Sequence, residues 1–392
     1  MRIHTVVHGD TIFKIARKYA VQPTKIIEDN GLEGDRLTVG QELLILTPTR
    51  TVTVRGGDTL ASLARRFGVR RSSLLSNNPA LSGEQRLRPG HILSVKFDTP
   101  PGGASSALGI LSRGAGERKL KQTLPYLTYV VLDAYSITDE GFKRRFDPSS
   151  ANHICKRAGK ISLLGFTDMT RGKFLLGENP YEALEQMIEL AMSDGFGGIR
   201  ISATHAALDY PDLMASFLME ARKRLIGCDL ILFADNGHYG YDSAELSDGV
   251  ILNPWIESEE LCSTLADERL HKYADRSAGE KTFVWLPTFA KAKDAELRVY
   301  DAYRLAERVG AEICRRNDLM SYFDYKRYIK GTGEDIRVII PSLSMVKAKL
   351  DKIHELGFIG IAFDIEGAPI WLLSMFNSYF SRADYSLLFG EQ

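Results

Sequence analysis

Apolar and polar positions divide the chain into two unlike parts. In the first part, short strand-like and helix-like periods follow one another closely. Residues 4–7 alternate as a strand does. Ile12, Ile15, Ala16 and Tyr19 then recur at helical spacing, behind an N-cap supplied by Asp10 or Thr11. Val21 and residues 24–29 predict a second short helix; Leu37, Gly40, Leu43 and Ile45 predict a closing turn and strand. The same order then returns. Gly9 maps onto Gly57, 48 residues later, and Leu60, Leu63, Val69, Leu87, Gly90, Ile92 and Val95 repeat the apolar positions. Self-similarity at such a period marks tandem small modules, here over 1–47 and 50–97. A module of this size must bury both helices on its two-stranded sheet, and that alone explains the apolar spacing without a ligand.

Residues 98–107 are rich in Pro, Gly and Ser with no apolar period, which reads as a linker, stiff at Pro100 and Pro101 and loose beyond them. From 108 to 392 the pattern changes. Strand-like runs at 108–112, 127–134, 161–166, 198–202, 229–234, 249–253, 282–286 and 360–364 are separated by helix-like segments. The helices at 181–193, 211–225 and 344–356 carry apolar faces such as Leu184, Met187, Ile188 and Ala191. Eight strands alternating with helices predict an α/β fold closed as a (β/α)₈ barrel, whose active site would lie at the C-terminal ends of the strands.

Composition narrows the function classes. No run approaches the roughly 18 apolar residues that span a bilayer, so no membrane partner is expected. The first module starts within a few residues of Met1 and leaves no room for an apolar signal segment. Cys155, Cys228, Cys262 and Cys314 are widely spaced and read as free or buried thiols. The eight histidines form no dense ligand cluster, no P-loop is present, and no Gly-x-Gly-x-x-Gly follows a strand, so neither metal nor cofactor is expected. Net charge is zero, but residues 1–99 hold 15 Lys/Arg against 9 Asp/Glu. The excess lies in the second module, with Arg65, Arg66, Arg70 and Arg71 close together. This suits an anionic polymer surface or a solvated helix face equally well, and it is too small to favour nucleic acid.

The loops of the two modules carry a more specific signal. Gly-Asp-Thr-(Ile/Leu) opens each helix, and Asn30-Gly31-Leu32 or Asn77-Asn78-Pro79-Ala80-Leu81 follows the second one. Together these resemble LysM domains, which bind N-acetylglucosamine polymers in a shallow groove between the two loops. The resemblance implies that Gly9, Asp10, Thr11, Ile12, Asn30 and Leu32 line one groove. Gly57, Asp58, Thr59, Leu60, Asn78, Pro79 and Ala80 would line the other. Copy one lacks the Asn-Pro pair, and Asp10 and Asp58 also read as plain helix caps.

Several segments of the barrel resemble family 18 glycoside hydrolases: residues 194–201 their fourth strand, 246–255 their sixth, 281–289 their seventh and 356–363 their eighth. The order of LysM, LysM and barrel resembles that of spore-cortex-lytic N-acetylglucosaminidases. In active members the fourth strand ends in D-x-x-D-x-D-x-E, whose Glu is the general acid and whose preceding Asp orients the substrate acetamido oxygen. Here those positions read Gly197, Arg200, Ser202 and Thr204. None is a carboxylate, and a general acid contributes about 10²–10⁴-fold. Asp133, Tyr135, Asp168, Asp235, Asn236, Asn253, Trp255 and Trp285 fall at predicted strand ends, where some could line a sugar cleft.

Asp364-Ile365-Glu366 closes the last strand and spells D-x-E. Residues two apart on a strand share a face, so these carboxylates could form a relocated acid and orienter, or a structural ion pair with Arg200 across the barrel top or with a lysine. Two readings follow. In the preferred one, the LysM pair binds peptidoglycan or N-acetylglucosamine oligomers and the barrel is a non-catalytic binding or assembly surface, with spore-coat proteins as further partners. In the other, the barrel is a peptidoglycan N-acetylglucosaminidase using Asp364 and Glu366. Either implies a spore coat, cortex or cell-wall location reached without a signal peptide; a cytoplasmic location stays open.

Overall fold

The structure, a computed structural model, describes residues 1–81, 87–97, 106–112, 116–170, 179–203, 209–236, 243–254, 270–271, 273–274, 279–316, 320–329 and 332–379. Each front module is a βααβ unit. In the first, β1 (Arg2–Thr5) pairs antiparallel with β2 (Glu42–Ile45) and carries α1 (Ile12–Tyr19) and α2 (Pro23–Asn30). In the second, β3 (Arg50–Thr53) pairs with β4 (Ile92–Lys96) and carries α3 (Leu60–Phe67) and α4 (Arg71–Ser76). Thr11 and Thr59 are the N-caps, accepting from the amides of Lys14 and Ser62. In the second copy Ser62 returns the bond to the Thr59 amide, completing a capping box. Ala20 and Gly68 end the first helix of each copy in the left-handed conformation. Val6, Ile12, Ile15 and Leu43 form one small core, and Val54, Leu60, Leu63 and Leu93 the other.

The large domain is a closed parallel barrel. Its strands are β5 (Ser106–Leu111), β6 (Tyr129–Thr138), β8 (Ile161–Asp168), β9 (Gly198–Ser202), β10 (Ile231–Asn236), β11 (Gly249–Leu252), β12 (Thr282–Leu286) and β18 (Gly360–Asp364). They hydrogen-bond in that order, and β18 returns to β5. All eight strands expected from the sequence are present. Between them run α5 (Glu117–Thr123), α6 (Ser149–Arg157), α7 (Pro180–Ser193) and α8 (Pro211–Ile226). A short strand β7 (Gly141–Arg144) folds back on the C-terminal half of β6. Alternation along each strand sends Leu108, Ile110, Val131, Leu163, Phe233, Ile251 and Phe283 inward, where Tyr129, Phe233 and Phe283 pack ring against ring. Asp133, Arg200, Ser202, Asp235, Trp285 and Asp364 keep the same parity nearer the strand ends.

One element was not expected from the sequence. Between β12 and β18 the chain builds an antiparallel sheet from β13 (Phe289–Ala292), β14 (Ala295–Arg298), β15 (Cys314–Arg315), β16 (Ser321–Ile329) and β17 (Thr332–Ile340). Helix α9 (Val299–Val309) packs on it over Ala302, Ala306, Phe323 and Val338. The chain then re-enters the barrel through α10 (Leu343–Glu355) and, after β18, ends the described region in α11 (Ile370–Tyr379).

The first module is built into this body. Glu42 on β2 is 3% exposed. Its carboxylate accepts from the Ser344 amide at 2.7 Å and the Ser344 hydroxyl at 2.6 Å in the first turn of α10, and pairs with Arg315 at 2.9 Å. Gly40 sits at φ +83°, so close to Ile313 that an added Cβ would lie 2.1 Å from the Ile313 carbonyl oxygen. Ser374 on α11 donates to the Asp29 carbonyl on α2. The second module meets the barrel through Gln122, which donates to the Pro79 carbonyl, and Tyr126, which donates to that of Ser76. The linker residues 98–105 lie outside the described residues.

Two stability predictions follow from these contacts. Glu42→Ala removes a buried acceptor from both a helix end and Arg315, and chemical denaturation of the full chain should show a loss of about 2–4 kcal/mol. Burial pushes the Lys119 ammonium down to about 8, with Arg298 adding to it, and burial also brings Lys160 to about 8. From about pH 8 upward the folded chain therefore binds fewer protons than the unfolded one, and stability rises with pH. Burial pushes the Cys155 thiol up to about 12 from an ordinary 9.0; this single group offsets only one of the two lysines, so the rise becomes less steep above about pH 9 and turns into a fall only above the ordinary lysine value of 10.5. Denaturation midpoints should rise between about pH 7 and pH 9 and level out in Lys119→Met/Lys160→Met.

Candidate functional site

Arg200 is the centre of the barrel mouth. It extends from β9 with 7% of its surface exposed. Its Nε donates to Asp235 Oδ1 at 2.8 Å, its Nη2 to Asp235 Oδ2, and its Nη1 to Asp133 Oδ1 at 3.4 Å. Ser202 donates to Asp235 Oδ2 at 2.6 Å. Thr167 donates to Asp133 Oδ1 at 2.8 Å, and Arg145 reaches Asp133 Oδ2 at 2.6 Å. Gly165 on the intervening strand makes the room, since a Cβ there would come 2.7 Å from the Asp133 Cα. Burial alone would pull the Arg200 guanidinium down; the two carboxylates outweigh it and hold the group above its ordinary value. Every carboxylate oxygen of Asp133 and Asp235 accepts at least one hydrogen bond from an arginine or a hydroxyl. A general acid needs a carboxyl group free to reach the glycosidic oxygen, and these oxygens are already taken up.

The expected pair at the end of β18 does not converge. Asp364 Oδ2 accepts from Ser112 at 2.6 Å, while Oδ1 accepts from the amides of Glu366 and Gly367 at 2.8 and 3.2 Å. Its carboxylate thus closes the turn after the strand. The strand ends at Asp364, so the period of two does not carry on to Glu366, which lines a cavity facing the first module. The pairing of Arg200 with Asp364 is also corrected. The eight-strand order places β18 across the barrel from β9, whereas Asp133 and Asp235 stand on β6 and β10.

Other strand-end candidates have plainer roles. Tyr135 stacks on Phe166. Asp168 accepts from the Thr170 amide and hydroxyl. Trp285 packs half-buried between two core clusters, and Asn253 is exposed. Thr204 and Trp255 lie outside the described residues, as does the side chain of Asn236. Arg145 and Thr167 were missed; their only sequence signal is a position just beyond a turn or at the end of a strand.

In the module loops, Gly9 and Gly57 are exposed with φ of +82° and +86°. Asp10 accepts from the Val7 amide and from His4, which also meets Tyr19. Asp58 accepts from the Arg55 amide, and that bond holds its carboxyl below the usual value. These aspartates brace the first loop; the adjacent threonines cap the helices. Ile12 and Leu60 are buried in the module cores. The side-chain amides of Asn30 and Asn78 are buried and taken up within the modules. Each donates to two carbonyls, Ile26 and Leu44 or Leu74 and Ser94, and accepts from the amide of Leu44 or Ser94. They tie the second loop to the closing strand. Pro79 is buried, Leu32 half-buried and Ala80 exposed.

Among the described residues no three metal-ligating side chains come together, and no helix is long and apolar enough to cross a membrane. Two cavities of about 810 and 420 Å³ lie between the first module and α9, the second extending to Lys119 and Glu366.

Comparison with known proteins places these features. The LysM domain pattern matches residues 4–46 and 52–96. The putative sporulation-specific glycosylase YdhD of Bacillus subtilis is 25% identical over 235 residues, which are 57% of this chain. The chain spans 56% of that relative's length. Crystal structures of the spore cortex-lytic enzyme SleL from Bacillus megaterium and Bacillus cereus each superpose with a TM-score of 0.69 at 18% identity, over 97% of this chain and 98% of theirs. A chitinase from Chromobacterium violaceum superposes with a TM-score of 0.59 at 16% identity, over 71% of this chain and 100% of its own. At these identities the structural likeness concerns the fold. The chain therefore carries two LysM domains in front of a (β/α)₈ barrel with the fold of spore cortex-lytic enzymes and chitinases.

Proposed function

We propose that this chain binds peptidoglycan or a related N-acetylglucosamine polymer through its LysM pair and that its barrel does not cleave the polymer. The observation that carries the second half is the Arg200 clamp. A buried guanidinium held between Asp133 and Asp235 fills the end of β9, and it engages the carboxylates that flank it, so neither is free to act on a glycosidic bond. In the sequence, Ser202 and Thr204 take the positions of the orienting carboxylate and the proton donor of the motif that β9 resembles, and neither residue type has a proton of suitable acidity. Asp364 closes a turn with its carboxylate, so the alternative pair lacks its orienter.

The setting is a spore or cell wall. This rests on the printed names of the relatives, a sporulation-specific glycosylase and spore cortex-lytic enzymes, together with the two LysM domains. The barrel then serves as a second binding or assembly surface on the wall, available to spore-coat proteins.

The test is release of reducing ends from purified peptidoglycan by the full chain. Wild type should bind the sacculi in a pelleting assay and release none. Turnover that disappears in Glu366→Gln would overturn the reading. Arg200→Ala should destabilise the protein by about 3–5 kcal/mol in chemical denaturation, because it leaves two carboxylates without their buried cation. Arg200→Ala should confer no hydrolysis.

A further inference from the structure

The cleft between the first module and α9 is not part of any groove expected from the sequence, yet one of its walls is the second loop of that module. Leu32 and Glu33 continue directly from Asn30 and Gly31, and they line both cavities together with Tyr300 and Tyr303 of α9. The module and the sheet insertion thus share one continuous trough.

Its walls are held in place from outside. Thr38 donates to the Tyr303 carbonyl, the Ile313 amide donates to Val39, and Gly40 touches Ile313. The trough does not depend on a flexible hinge, and a ligand would meet it preformed.

Charge decides what kind of ligand fits. Arg36, Arg304 and Arg308 face Glu33, Asp301 and Glu307 in the larger cavity. The signs balance, and Arg36–Glu307 and Arg304–Glu33 already pair across it at 3.4 and 3.7 Å. Both pairs are exposed and long, so they are weak and displaceable. A balanced trough selects neither a polyanion nor a polycation. It offers many donors and acceptors to an uncharged, hydroxyl-rich chain.

The apolar part points the same way. Tyr300 is half-buried, with the Arg304 guanidinium 5.9 Å from its ring centroid. Leu32 and Leu297 line the same cavity. An aromatic ring and two leucines lining one cavity, with the Tyr300 hydroxyl bonded to Glu33 at its rim, offer an apolar surface to the C–H face of a sugar and the methyl of an acetamido group.

The geometry points to a composite subsite: an acetamido-sugar chain held by the first LysM domain continues across Leu32 onto Tyr300 of the barrel insertion. This rests on the proposal that the modules bind such chains. The subsite extends the binding surface beyond the module and makes affinity depend on chain length.

The experiment is calorimetric titration of the full chain with N-acetylglucosamine hexamer and with the dimer. Tyr300→Ala should weaken the hexamer by about tenfold and leave the dimer unchanged, while Tyr300→Phe keeps the wild-type value. The loss should be the same at about 50 and 300 mM salt, as an uncharged ligand requires. Hexamer affinity unchanged in Tyr300→Ala would overturn the composite subsite while leaving module binding intact. A wild-type chain that binds neither oligomer would overturn the module reading and the subsite with it.

Discussion

A guanidinium buried at the mouth of a barrel has to be matched by carboxylates, and that requirement organises the centre of this molecule. Arg200 is held by Asp235 through two donors and by Asp133 through a third. The match engages the oxygens of both acids, draws in Ser202, Thr167 and Arg145, and requires a glycine at 165. The cluster makes a polar floor that is internally satisfied. Such networks specify one packing and are disrupted by loss of any member. They are poorly suited to proton transfer to a substrate, because the carboxylate oxygens are already engaged by arginines and hydroxyls.

The same logic of buried polar groups explains how the modules sit. Glu42 on the first module is buried in the assembled chain, where it closes the first turn of α10 and pairs with Arg315. Asn30 and Asn78 are equally buried and use their amides to fasten a loop to a strand. The contacts at Gly40 and at Ser374 add close packing. The first module is thus an integral wall of the barrel assembly, with a trough between the two, and not a bead at the end of a linker.

Much of this was legible in the chain. The eight barrel strands follow from alternating apolar runs, and the two modules from their repeat, because burial on a sheet or a helix face leaves a period in the sequence. The antiparallel insertion was not read, although Phe323, Tyr325, Ile336 and Val338 alternate on either side of the glycines 331 and 333; eight strands already satisfied the expected barrel. The site was less legible. The missing acid at 202 and 204 could be read directly, but the partners of Arg200 could not. Asp133 and Asp235 are distant in sequence and meet only because their strands flank β9 at one and two places. Glu366 departs from the strand period for a local reason, since the strand stops at Asp364 and Glu366 lies in the turn that follows. The asparagines looked like ligands because a loop-fastening amide and a sugar-binding amide leave the same letter.

The most direct test of the central claim is a crystal structure of the full chain soaked with an N-acetylglucosamine oligomer. The account predicts sugar along the module loops and the Tyr300 trough, and no carboxyl group within hydrogen-bond distance of a bridging glycosidic oxygen in the barrel mouth. An acidic side chain found at about 3 Å from such an oxygen would contradict it.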